Sequence, residues 1–159
     1  MIIKLIQPRM QMRPMDTNLK TRMAPSLGLL TIANMFEKEH KVIITNENVE
    51  EIDFEEKVDI VGITVTVDVM TKAIEIAKRF QQREIPVVAG GIHITACPDI
   101  SQFDAISVGI AEKTWPDIIR DAQKGELKKI YTCQGAVTGE DIVSPAYHLI
   151  DKSKYLYKE

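Results

Sequence analysis

Cysteine is scarce in this 159-residue chain, with only Cys97 and Cys133, far apart. That spacing is not the paired spacing of a zinc site or a redox motif. Both are expected to be ordinary reduced thiols, since cytosolic proteins rarely keep disulfides. Histidine is as sparse: His40, His93 and His148 are widely separated, so no metal-ligand cluster is legible. There is no excess of positive charge either, and a net charge of -3 gives no electrostatic reason to expect nucleic acid. No uncharged apolar stretch approaches the ~18 residues of a membrane span. The opening MIIKLIQP carries no basic leader followed by an apolar segment and a cleavage site, so the expected location is cytoplasmic. The chain has no internal repeat and no low-complexity tract.

Several ligand chemistries are excluded by missing motifs. The dinucleotide fingerprint G-x-G-x-x-G and the P-loop G-x-x-x-x-G-K-[ST] are both absent. A flavin mononucleotide site needs a hydroxyl-rich loop after the first strand, where this chain has Pro8, Arg9 and Met10. A receiver domain needs clustered acids there and an aspartate after the third strand, which ends instead in Thr64, Val65 and Thr66.

What is present centres on residues 58–91. Ile60 to Val67 is nearly unbroken apolar and β-branched sequence, the pattern of a strand covered on both faces in a parallel sheet. Asp68 is placed to cap a helix whose Met70, Ala73, Ile74, Ala77 and Phe80 recur at helical spacing. The return strand Ile85 to Ala89 ends in Gly90 and Gly91, which admit close approach to its carboxyl end. A right-handed unit of this kind puts both strand ends on one rim, where a ligand is to be sought.

The rest of the chain fits around this unit. The length suits one domain with a real core. Ile2 to Ile6 is a first strand, followed by a long loop with Met10, Met12 and Met15 that leaves for the same rim. Ser26 caps a helix from Leu27 to about Lys38, in which Gly28 weakens the helix but permits close approach. Val42 to Thr45 is a short strand, and Asn46 to Lys57 is an acidic connection anchored by Ile52 and Phe54 without a clear helix. His93 to Gln102 is a loop or single turn, Ala105 to Val108 a fifth strand, and Glu112 to Lys124 a last helix with Trp115 on its core stripe. Five strands alternating with helices predict a flavodoxin-like, doubly wound α/β/α sheet of order 2-1-3-4-5. The core is then complete near Gly125, giving a domain over 1–125 and a tail or linker over 126–159, in which Ile130 to Cys133 suits an extended segment.

Several rim positions have two readings. Thr64 and Thr66 are either strand formers or hydroxyl donors to a ligand. His93 either contacts the ligand or satisfies nearby backbone. Gly109 allows a turn or a close approach, and Glu112 suits the positive end of the last helix.

Four segments taken together carry a resemblance. P-S-L-G-L-L-T-I-A at Pro25 to Ala33, D-I-V-G-I-T-V-T at Asp59 to Thr66, P-V-V-A-G-G-I-H at Pro86 to His93, and V-G-I-A-E with W-P at Val108 to Pro116 stand in order with fitting intervals. The chain resembles the N-terminal cobalamin-binding domain of cobalamin-dependent radical SAM enzymes. The resemblance implies a corrin ring across the carboxyl ends of the strands, with its nucleotide tail entering the sheet edge. It implies cofactor contacts at Pro8, Thr64, Thr66, Gly90, Gly91, His93, Gly109, Ala111 and Glu112, with no catalytic residue and no metal ligand in this chain. Ile110 stands where the family commonly has an acid.

The D-x-H-x-x-G motif of classical methyltransferases and mutases is absent, so cobalamin is expected without that lower histidine ligand. The C-x-x-x-C-x-x-C motif is absent too, so the iron–sulfur cluster and S-adenosylmethionine belong to a radical SAM catalytic domain in cis or trans. The implied function is a non-catalytic cobalamin-binding module of a methyltransferase or related radical enzyme. The alternative is a cofactor-free interaction or regulatory domain that keeps the fold and docks a partner through its Tyr- and Lys-rich tail.

Overall fold

The computed structural model describes residues 1–22, 24–135, 138–139 and 143–156. Its first strand, β1 (Ile2–Gln7), sends Ile3 and Leu5 into one apolar layer and Ile6 into another. A strand with two buried faces belongs in the middle of a sheet. β1 accordingly lies between β2 (Lys41–Asn46) and β3 (Ile60–Thr64), parallel to both. β4 (Val87–Gly90) and β5 (Ala105–Val108) follow in the predicted 2-1-3-4-5 order. The register sets Thr64 opposite Gly90, so the ends of β3 and β4 reach the rim together.

Helices cover both faces. α2 (Leu27–Phe36) and α5 (Ala111–Lys124) pack on each other and on the layer holding Leu5, Ile60, Val88 and Trp115. α3 (Met70–Gln81) covers the other face through Ala73, Ile76, Ala77 and Phe80, and α4 (Ile92–Ala96) adds Ile94. A short α1 (Asn18–Thr21) interrupts the long first loop. No helix among the described residues is long and apolar enough to cross a membrane.

The structure corrects the sequence reading in three places. β3 stops at Thr64, and a 3-10 turn over Val67–Val69 leads into α3. Asp68 does not cap that helix, whose cap is Val69; its carboxylate instead accepts the Thr66 hydroxyl at 2.6 Å. The sheet has a sixth strand, β6 (Ile130–Thr132), parallel to β5, so the core is not complete at Gly125. Tyr131 is buried on β6 against α5, and Ala146 and Tyr155 are buried farther on, where the Ala146 amide donates to the Leu30 carbonyl of α2. Met23 of the first loop and, from the expected tail, residues 136–137, 140–142 and 157–159 lie outside the described residues.

The acidic connection between β2 and β3 has no helix, as its weak pattern predicts. Its place over the sheet is held by cations. Lys4, 1% exposed, reaches Glu56 at 2.6 Å and the Asp53 carbonyl at 3.0 Å. The Arg79 guanidinium lies 3.3 Å above the Phe54 ring, and Arg83 donates to the Phe54 and Glu55 carbonyls.

Candidate functional site

At the carboxyl ends of β3, β4 and β5 a cleft of about 180 Å³ opens between α2 and α5. Its floor is sheet: Gly62, Ile63 and Thr64 from β3, Gly90 with Gly91 after it from β4, and Ser107 from β5. Its walls are Gly28, Leu29 and Ile32 of α2 and Ala111, Glu112 and Trp115 of α5. The lining is mostly apolar. Polar atoms enter at Thr64, at Glu112 and at Ser107, whose hydroxyl pairs with that of Thr114 at 2.6 Å beneath the surface.

Five glycines line this cleft, and the fold requires only three of them. A Cβ on Gly62 would stand 2.5 Å from the Trp115 ring. Gly91 has φ +102°, where an added Cβ would stand 2.8 Å from the Val65 carbonyl, and Gly109 has φ +95°, where one would stand 2.5 Å from the Cys133 Cβ; L side chains are strained in that region. By contrast, a Cβ on Gly28 would meet nothing within 4 Å, and one on Gly90 would meet only Ser107 at ordinary contact distance, 3.5 Å and beyond. No neighbour demands glycine at 28 or 90. Side chains there would narrow the cleft.

The rim around the cleft is apolar and exposed. Met12, Met15, Leu19 and Leu27 follow β1, Val67 follows β3, Ile92 follows β4, and Leu156 comes back to donate its amide to the Arg22 carbonyl. Among the large apolar side chains exposed in the described residues, only Ile130 lies elsewhere, at the start of β6. Concentrated apolar exposure of this kind marks a surface made to be covered.

Of the residues expected from sequence, Thr64, Gly90, Gly91, Gly109, Ala111 and Glu112 line the cleft together. Pro8, Thr66 and His93 do not. Pro8 is buried at the end of β1, with its carbonyl accepting from Asn48. Thr66 is exposed and engaged with Asp68. His93 lies in the first turn of α4, its amide donating to the Val65 carbonyl. Sequence reasoning missed Gly62, Ser107 and the cleft role of Trp115, whose buried ring serves core and cleft at once. Gly28 carried a signal, being a helix-weakening residue with no turn to make.

A cavity of ~150 Å³ accommodates a single benzene-sized ring. The cleft, at about 180 Å³, is of that order. The class defined is a doubly wound domain with a ligand-sized cleft at its strand ends. The sequence model of the B12 binding domain matches residues 21–119, and the chain belongs to that family.

Similar proteins include the bacteriochlorophyllide d C-8(2)-methyltransferase of Chlorobaculum tepidum, 33% identical over 73% of this chain and 26% of its own length. An uncharacterized methyltransferase of Pyrococcus horikoshii is 32% identical over 82% of this chain and 35% of its own. The hopanoid C-2 methylase of Rhodopseudomonas palustris is 26% identical over 83% of this chain and 26% of its own. The chain thus spans about a quarter to a third of the length of these relatives.

Proposed function

We propose that this chain holds cobalamin with the base of its nucleotide tail in the cleft beside Trp115 and its corrin ring over the rim, as the cofactor-binding part of a radical SAM methyltransferase. The observation that carries this reading is the pair Gly28 and Gly90, which leave open a cleft that the fold does not need open. A ligand ring is the reason for such space. Size agrees, since the cleft suits a tail base and the macrocycle stays outside against Met12, Val67 and Ile92.

Cobalamin, when bound, supplies a cobalt centre that carries a methyl group between donor and acceptor, while protein groups bind and orient it. In this chain the Trp115 ring gives an apolar wall, and Thr64 and Ser107 offer hydroxyls to the polar atoms of the tail. The close backbone at Gly91 and Gly109 lets the ligand approach the strand ends, and Ala111 and Glu112 bound the opening. Exposed Thr66 and half-buried His93 are left as contacts for the edge of the corrin, while buried Pro8 follows β1 beneath it. The three relatives named as methyltransferases or methylase support methyl transfer as the reaction of the whole protein. The iron–sulfur cluster, S-adenosylmethionine and substrate fall to a catalytic domain in cis or trans, and the free thiols of Cys97 and Cys133 suit a cytoplasmic location.

The test is a titration with hydroxocobalamin, followed by cobalamin absorption and by emission from Trp115, the only tryptophan. The parent is expected to show saturable spectral change with quenching. Gly28→Leu should weaken binding at least about tenfold, 1.4 kcal/mol, with its unfolding midpoint maintained. Equal binding by parent and variant, or no binding by the parent, overturns the reading.

A further inference from the structure

A second concavity, of about 350 Å³, lies on the α3 side of the same rim. Its polar lining is Arg9 and Gln11 from the loop after β1, with Asp68, Thr71, Lys72 and Glu75 from the start of α3. Two cations and two carboxylates face one groove. The two cations are set in place by Glu47, which accepts from the Arg9 amide at 2.8 Å and holds Lys72 at 3.4 Å; its carbonyl takes the Arg9 Nε at 3.1 Å. Lys72 also lies 3.4 Å from Glu75, and Asp68 is oriented by the Thr66 hydroxyl at 2.6 Å.

This charge pattern discriminates between ligand groups. An incoming carboxylate or phosphate would be drawn to Arg9 and Lys72 but repelled by Asp68 and Glu75. An ammonium would meet the reverse. A primary carboxamide carries two N–H donors and a carbonyl with two lone pairs, so it satisfies a carboxylate and a cation at once without bringing charge. The groove and the cleft lie on opposite faces of the sheet at one rim, with exposed Val67 on the loop leading into α3. A ring crossing the rim from the cleft would bring its periphery to the groove.

We propose that the Arg9–Lys72–Asp68–Glu75 groove binds a peripheral primary amide of the corrin and rejects the corresponding acid, so that this domain selects fully amidated cobalamin over an under-amidated corrinoid. This rests on the cobalamin reading above. The rejection comes from the two carboxylates, which leave a ligand carboxylate facing like charge.

The experiment measures the affinity of the full chain for cyanocobalamin and for cobalamin monocarboxylic acids, each with one peripheral amide hydrolysed, one isomer at a time. The expected result is that one isomer binds about tenfold more weakly than intact cobalamin, the scale of a lost charge-assisted hydrogen bond, while the others bind like it. In Asp68→Asn/Glu75→Gln, both exposed positions, that deficit should shrink to about twofold or less. Equal binding of all isomers by the parent, or a deficit that survives in the variant, overturns the amide assignment and leaves cobalamin binding standing. Failure of the parent to bind intact cobalamin overturns both.

Discussion

The indole of Trp115 on α5 rests directly over Gly62 of β3, so close that a Cβ at residue 62 would stand 2.5 Å from its ring and 2.9 Å from Leu5. One residue therefore lets an aromatic ring come down onto the sheet, and that ring becomes a wall of the cleft. Gly62→Ala should overpack this contact and lower unfolding stability by about 1–3 kcal/mol. Denaturant unfolding followed by tryptophan emission measures it, and an unchanged midpoint would contradict the contact.

Gly28 separates stability from ligand binding. It lies within α2 with open space around it, so Gly28→Ala should stabilise the protein by about 0.4–1 kcal/mol through loss of unfolded-chain freedom. The same change narrows the cleft, so cobalamin affinity should fall or stay level while the unfolding midpoint rises. A destabilised Gly28→Ala would mean that the helix does not tolerate the methyl group.

Lys4 and Glu56 predict an asymmetric pair of mutants. Lys4 is 1% exposed and its ammonium is matched by Glu56 at 2.6 Å. Glu56→Ala strands a buried charge and should cost about 3 kcal/mol, discounted if water reaches the site past the partly exposed partner. Lys4→Met with Glu56→Gln removes both charges and should cost much less. Urea unfolding of the two variants distinguishes them by the order of their midpoints.

Acid should loosen the attachment of β6. Burial alone pushes the Asp121 carboxyl up, but hydrogen bonds from Tyr131 at 3.0 Å and from Lys128, with Arg120 alongside, outweigh it and hold the carboxyl below its usual range. A depressed folded value contributes stability that is present above the unfolded value, about 3.9, and lost as pH falls through the folded one. Stability should therefore decline as pH drops below about 4, and Asp121→Asn should be less stable at pH 7 with a shallower acid decline. Thermal unfolding from pH 7 to pH 2 tests this, and parallel acid limbs would rule it out.

Period and punctuation in the sequence were enough for the five-strand order and the double glycine at the end of β4. Those signals are local. Ala105–Val108 ends at a glycine, and α5 ends at Gly125 in the left-handed conformation at φ +71°, as the residue types require. The short Ile130–Thr132 strand lacked a flanking pattern, because it is stabilised by pairing with β5 and by the Tyr131–Asp121 bond rather than by its own composition. Asp68 went to Thr66 rather than to the helix because a 3-10 turn moved the start of α3 two residues beyond it.

The sequence by itself determined the alternation of strands and helices, and with it the parallel sheet whose strand ends share one rim, because hydrophobic period and glycine placement act within a few residues. Only the tertiary structure decided that Gly28, Gly62, Ser107 and Trp115 meet in one cleft while Thr66 faces away with Asp68. It also decided that Arg9 and Lys72 share Glu47. The physical reason is distance along the chain: these contacts join residues on separate elements, and their geometry is fixed by sheet register and helix packing, which no local pattern encodes.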